Sequence, residues 1–283
     1  MWSVMVLGSA QDGGLPQFGA RTSLDDAARS GAIPRRWSSC LAVIGDDGRV
    51  LLLDAGPDLK AHEEVLATHS AIGRRTDRSP IDGVVITHAH VGHYAGLLHF
   101  GREVHAAAGM PCWVTMEMAR FLESEAPWRL AVEQGHLDLR AHEPPASFNP
   151  WPDLEVSLLP VPHRHEASDT AAISVNGAAL YLPDIDSWED WPEAEEVIAA
   201  HSVAFLDGTF WSSAELPDRD ISDIKHPLVP DTLKRFEHLG STRRLVLTHF
   251  NHTNPVCDPA SDEHAVVLSA GFEVAAEGLT IGL

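Results

Sequence analysis

Three scarcities narrow the reading before any motif is considered. Cysteine is nearly missing: Cys40, Cys112 and Cys257 stand far apart in a chain of 283 residues. An odd, scattered trio builds neither a disulfide framework nor a cysteine-rich zinc site, and it points to a reducing, cytoplasmic location. Basic side chains are outnumbered, 20 against 41 acidic ones, for a formal charge of −21. Phosphate backbones are bound by neutralisation with Lys and Arg, so this reading expects no nucleic acid and no anionic membrane as partner. Long apolar runs are the third scarcity. None approaches the ~20 residues that span a bilayer. The opening Met1-Trp2-Ser3-Val4 lacks the basic start of a signal peptide and reads as a first strand.

Two motifs are also missing. No G-x-x-x-x-G-K-[ST] loop is present to cradle phosphates, and no G-x-S-x-G elbow to present a nucleophilic serine. What remains is a composition of 44% hydrophobic and 22% charged residues, that of a folded soluble protein. No repeat or linker divides the chain, so residues 1–283 are read as one domain.

Short β-type runs recur: Val4–Leu7, Leu41–Ile44, Val50–Leu53, Gly83–Ile86, a short one at Val104, Cys112–Val114, Val156–Leu159, Ala171–Val175, Ala178–Leu182, Val203–Leu206 and Leu245–Leu247. A final pair of runs lies at Phe272–Val274 and Leu279–Ile281. Asn176-Gly177 between two runs is a hairpin signal. Helical patterns fall at Thr115–Ser124, at Asp231–Leu239 after Pro230, and at Ser261–Leu268. This order suits two mixed sheets packed face to face with helices outside, an α/β sandwich of αββα type.

The excess is histidine, with 17 copies. The apolar run Val84-Val85-Ile86 leads into Thr87-His88-Ala89-His90-Val91-Gly92-His93. Residues two apart in extended chain share a face, so His88 and His90 can address one ion. His93 follows at a bend and approaches from another side. Neutral imidazole is the commonest protein ligand for zinc and iron-type metals.

These residues resemble the metallo-β-lactamase fold hydrolases, whose pattern is a strand followed by Thr-His-x-His-x-Asp-His-x-x-Gly. His88, His90, His93 and Gly96 match it, and Asp54-Ala55-Gly56 is similar to the family's strand-ending Asp-x-Gly. The resemblance spans nearly the whole chain. It implies His163 as the third histidine of a first metal, Asp184 as a bridging carboxylate and His249 as the last ligand, with Asp207 ending another strand. The implied cofactor is one or two divalent transition ions: zinc, iron or manganese. Asp54, Asp58, Asp186 and Asp207 are available to fix the tautomers of the ligands.

The chain departs from the pattern at Gly92, where the family carries aspartate. Three readings stay open: one metal on His88, His90, His163 and Asp184; two metals with a replacement acid; or a 2-His-1-carboxylate set of His93, His249 and Asp184, the ligand type of non-haem iron oxygenases. Asp12, in the Gly-rich turn after the first strand, is the candidate replacement, and turn-building is its plainer role. His165, His226 and His252 are candidate outer ligands or proton carriers.

A closer similarity is to the PqqB-like branch, carried by Leu7-Gly8-Ser9-Ala10, Gly13-Gly14-x-Pro16-Gln17, Asp207-Gly208-Thr209-Phe210-Trp211 and Asn251-x-Thr253-Asn254-Pro255. The branch's cysteine-rich zinc site should be missing here, because Phe18–Thr22 holds no cysteine.

The expected activity is therefore metal-dependent hydrolysis of an ester, lactone, amide or phosphodiester, with Asp184, His252 and Asp12 as catalytic candidates. The alternative implied by the branch is iron-dependent hydroxylation of a tyrosine-derived substrate in quinone cofactor biosynthesis. The expected partner is a small-molecule substrate, with a homodimer left open. Trp37, Trp128, Trp188, Phe210 and Trp211 are candidate pocket walls, and Arg164 a candidate for a carboxylate or phosphate group, or for pairing with Glu166.

Overall fold

A computed structural model describes residues 1–74, 79–216 and 225–283. The chain first builds β1 (Trp2–Gly8), β2 (Cys40–Gly45), β3 (Val50–Leu53), β4 (Gly83–Val85), β5 (Met110–Thr115) and β6 (Leu137–His142). A second series follows: β7 (Ala146–Trp151), β8 (Leu154–Pro160), β9 (Ala171–Val175), β10 (Ala179–Leu182), β11 (Val203–Asp207), β12 (Arg244–Thr248) and β13 (Phe272–Val274). The last strand, β14 (Thr280–Gly282), returns to the edge of the first sheet beside β1. Among the described residues this gives two seven-stranded sheets, ordered β14-β1-β2-β3-β4-β5-β6 and β13-β12-β11-β10-β9-β8-β7. Each is mixed: β3 through β6 run parallel, as do β10 through β13, while the other neighbours pair antiparallel.

The helices are α1 (Ser23–Ser30), α2 (Leu59–Leu66), α3 (Val91–Tyr94), α4 (Met116–Ser124), α5 (Trp128–Glu133), α6 (Ala194–Ala200), α7 (Val229–Phe236) and α8 (Asp262–Ser269). Their starts are chemical. Thr22, Thr115 and Ser261 each accept a backbone N–H of the first turn, and Pro230 sits in the first turn of α7.

The alternation of β1 shows why the sheets stack. Val4 and Val6 point to one face and join Leu41, Val43, Leu51, Val156, Ile173, Phe205 and Val246 between the sheets. Met5 and Leu7 point to the other face, under α2 and α4 with Leu59 and Met118. A matching layer lies between the second sheet and α6, α7 and α8, around Trp188, Ile198, Phe236 and Val267. Three apolar layers between four structural layers make the αββα sandwich expected from the sequence.

Particular expectations need correction. Val104 lies in a turn, because its stretch is short and half-exposed. The two closing runs are both strands, in different sheets: β13 joins β12 and β14 joins β1. The β6 and β7 edge strands, and helices α1, α2, α5 and α6, were not marked by the apolar pattern. β6 reads Leu-Asp-Leu-Arg-Ala-His and β7 reads Ala-Ser-Phe-Asn-Pro-Trp, alternating half-exposed strands with much polar character.

Candidate metal centre

The candidate donors gather at the carboxyl ends of the parallel strands, where ligand clefts of open α/β sheets form. β3 runs on to Asp54, β4 to Thr87 and His88, β10 to Asp184 and β12 to His249, and β11 ends at Asp207. Asp54 and His249 adopt left-handed backbone, φ 67° and 61°. Non-glycine residues there are uncommon and cluster at functional sites.

Backbone packing explains the motif glycines. Gly96 N–H donates to Ala55 O at 2.8 Å and Ala55 N–H to His93 O at 2.7 Å. A Cβ on Gly56 would fall 2.0 Å from Gly92 O, and one on Gly96 would fall 2.2 Å from Gly56 O. The β3 turn and α3 thus touch backbone to backbone, which sets His93 against Asp54.

Two donor groups result. The first joins His88, His90, His163 and Asp184; the second joins His93, Asp184 and His249; in each, one atom per residue lies within 4.8 Å of all the others. His90 Nδ1 is 3.3 Å from His163 Nε2, and His163 Nε2 is 3.6 Å from Asp184 Oδ1. In the second group His93 Nε2 and His249 Nε2 are 3.3 Å apart and lie 3.2 and 3.3 Å from Asp184 Oδ2. Zinc–nitrogen bonds of ~2.0–2.1 Å at tetrahedral angles separate neighbouring donors by about 3.3 Å. These edges have the size of a metal's coordination shell.

Tautomers sharpen the fit. Asp54 is fully buried and accepts the Thr87 N–H at 2.8 Å, the Thr87 hydroxyl at 2.9 Å and His93 Nδ1–H at 2.7 Å. Thr87 spends its one hydroxyl proton on Asp54, so at 2.9 Å its Oγ1 accepts from His88 Nδ1–H. Thr209 donates to Asp207 Oδ1 at 2.7 Å and accepts from His249 Nδ1–H at 2.9 Å. His88, His93 and His249 therefore turn Nε2 inward. His163 Nδ1 lies 3.0 Å from Asp186 Oδ1, off the line of a good hydrogen bond, and His90 Nε2 lies 3.3 Å from Glu166 Oε2. The inward atoms His88 Nε2 and Asp184 Oδ2 are buried without a hydrogen-bond partner. Buried lone pairs facing one another are costly unless a cation joins them.

The electrostatics agree. Burial, reinforced by His93, holds His88 well below the usual histidine value, and burial brings His163 down to about 4 and lowers His249. Burial pushes the Asp184 carboxyl up, but His249 and His93 outweigh it and hold it well below the usual range. Burial opposes charge on His93, yet Asp54 and Asp184 outweigh it and lift its pKa well above normal. The pocket thus disfavours charge on His88, His163 and His249 while Asp54 and Asp184 favour positive charge beside them.

A third group, Asp207, His226 and His249, adjoins these. His226 Nδ1 is 2.7 Å from Asp207 Oδ2, and Asp207 outweighs burial to raise the His226 pKa. The sequence offered His226 only as one of several outer histidines, since no motif marks its distance from Asp207. Of the other candidates, His165 pairs with Glu117 on the surface, and Asp58 holds Ser38 N–H at 2.8 Å instead of a ligand histidine.

A cavity of about 290 Å³ opens beside the donors, lined by Asp12, Arg164, Phe210, Lys225, His226 and His252 among others. His252 Nδ1 is 3.0 Å from buried Asp25 Oδ2, which fixes it in the wall. Asp12 and His252 belong to none of the donor groups among the described residues. Phe210 alone of the five candidate aromatics lines this cavity. Trp188 is buried on Thr232 and Phe236, and Trp128 packs on Tyr94. A hollow of about 320 Å³ bordered by Leu59, Phe100 and His105 touches none of the donors.

Comparison with known proteins follows this geometry. A family model described as a beta-lactamase superfamily domain matches residues 49–250, well over half of the chain. Coenzyme PQQ synthesis protein B of Cupriavidus necator is 29% identical over 315 aligned residues, covering 100% of both chains. The protein of the same name from Xanthomonas campestris pv. campestris is 29% identical over 316 residues, 99% of each chain. The crystal structure of zinc-bound PqqB from Methylobacterium extorquens has a TM-score of 0.84 and 26% identity, covering 99% of this chain and 100% of that one. A diphosphatase of the PhnP family, 22% identical over 99% of this chain and 96% of that one, is similar in fold alone, with a TM-score of 0.71. The chain belongs to the beta-lactamase superfamily and carries its metallo-β-lactamase fold.

Proposed function

We propose that the protein is a metal-dependent hydrolase acting on an ester, lactone, amide or phosphodiester of a small molecule. His88, His90, His163 and Asp184 would hold a first divalent ion. His93, His249 and the shared Asp184 would hold a second. The observation that carries this reading is the 3.3 Å spacing of imidazole nitrogens within each of two donor groups that share Asp184. An ion bound there supplies a water of lowered pKa and polarises a substrate oxygen.

The chain's own residues do the rest. Asp54, Thr87 and Thr209 fix the tautomers of His93, His88 and His249. Asp184 orients the attacking oxygen, and His252, steadied by Asp25, carries a proton toward the leaving group. Arg164 and Lys225 in the cavity wall suit a substrate bearing a carboxylate or phosphate.

A second reading has two observations of its own. The curated relatives carry the name coenzyme PQQ synthesis protein B. The group His93, His249 and Asp184 is a 2-His-1-carboxylate set. That set is the ligand type of non-haem iron(II) oxygenases. Metal analysis with turnover under air and under anaerobic conditions separates the two. Zinc- or manganese-supported hydrolysis without oxygen uptake supports the hydrolase; iron dependence with oxygen consumption supports the oxygenase. A protein that binds no divalent ion contradicts both.

A further inference from the structure

The loop after β1 carries Asp12 against α3 at Gly92. A Cβ built on Gly92 would fall 2.2 Å from Asp12 Oδ1, 2.7 Å from its Cα and 3.0 Å from its Cγ. The Gly92 N–H donates to the same Oδ1 at 2.7 Å. Asp12 therefore fills the space into which a side chain at position 92 would project, one residue before the donor His93.

The loop is held firmly on both sides. Ala10 bridges Ser38 and Phe250, the residue after His249. Gln11 N–H donates to Phe250 O and Phe250 N–H to Ser9 O, both at 2.9 Å. Ser9 is in turn bonded to Glu277 and Arg36. Asp12 is thereby fixed relative to His249 as well as to His93. Its carboxylate is not needed to close its own turn, because Gly14 N–H already donates to Gln11 O at 2.9 Å.

We infer that Asp12 is a positioning carboxylate for the ion held by His93, His249 and Asp184, supplied from the far end of β1 because α3 carries none at 92. The inference rests on the metal-centre reading above. Asp184 is the one carboxylate among the six donors of the two groups. Two divalent ions would bring four positive charges, and an acid beyond Asp54, Asp184 and Asp207 offsets part of that. Asp12 stands outside the donor group, so it acts through a water at the ion. One of its oxygens takes the Gly92 N–H, and a carboxylate has a second to offer.

The test is stepwise zinc titration of chelator-stripped protein, wild type against Asp12→Asn, by chelator competition and native mass spectrometry. Asn keeps the size and an acceptor for the Gly92 N–H but loses the charge. The expected result is two ions on the wild type. In the variant the second ion should be about 10–100-fold weaker, with first-ion affinity and metal-free melting temperature unchanged. Equal second-ion affinity in both proteins overturns the inference. So does a variant whose metal-free melting temperature drops while both ions weaken together, which marks a structural role. A wild type that binds one ion overturns it while leaving the metal centre intact. A wild type that binds none defeats the metal-centre reading itself.

Discussion

Gly92→Ala should destabilise the protein, against the usual direction for such a change. Gly92 lies in the first turn of α3 and its backbone is not left-handed, so alanine would ordinarily gain at most about 1 kcal/mol there. Here the added methyl arrives 2.2 Å from Asp12 Oδ1 and 2.7 Å from Asp12 Cα. Forcing a methyl into filled space costs about 1–3 kcal/mol. Displacing the carboxylate also breaks the 2.7 Å bond from the Gly92 N–H, and a hydrogen bond to a charged group contributes about 1.5–3 kcal/mol. After subtracting the propensity gain, a net loss of about 1.5–5 kcal/mol is expected. Urea denaturation of metal-free protein measures it from the midpoint and slope. The same substitution in an Asp12→Gly background should cost at least about 1 kcal/mol less, because the pair is in contact. A Gly92→Ala protein as stable as the wild type, or an additive double variant, would refute the claim that Asp12 occupies this space.

Four other outcomes follow from the same structure. Asp54→Asn replaces the acceptor that holds His93 Nδ1–H at 2.7 Å, and zinc competition should show about 10–100-fold weaker binding; unchanged affinity would remove Asp54 from the supporting role. Burial holds the His62 pKa at about 4, below the ordinary ~6.5. The unfolded chain therefore takes the proton first, and stability present above pH ~6.5 is lost as pH falls toward 4, by up to about 3 kcal/mol; His62→Gln should flatten that slope in pH-dependent urea melts. Phe205→Ala, fully buried between the sheets, should cost about 3–5 kcal/mol by the same denaturation. Zinc at 100 times its Kd should stabilise the fold by about 2.7 kcal/mol, reversed by chelator; a melting temperature indifferent to zinc would contradict the donor groups.

Local patterns carried most of what the sequence disclosed. Thr87-His88-Ala89-His90-Val91-Gly92-His93 follows a buried strand, so its three histidines could be assigned to one place from spacing. Asp54, Asp184 and His249 were legible through the family resemblance, each lying just beyond an apolar run that becomes a strand. β6, β7 and α1 were not, since their apolar residues are few and interrupted by charge. The approach of Asp12 to Gly92 is also illegible from periodicity, because 80 residues separate them and only the sheet order joins them. Trp128 and Trp188 misled for the opposite reason: loop-like surroundings in sequence conceal side chains packed in the core layers.

The centre draws His88, His90 and His93 from beyond β4 in one sheet, and His163, Asp184 and His249 from beyond strands of the other. An ion bound at Asp184 would therefore be a rivet between two halves of the sandwich. Closing a loop of that span costs the unfolded chain entropy, so the holo form repays a penalty that the metal-free form must meet by apolar contact alone. Hydrogen exchange should register this as slower opening at the cleft mouth, far more than at the opposite rim of either sheet.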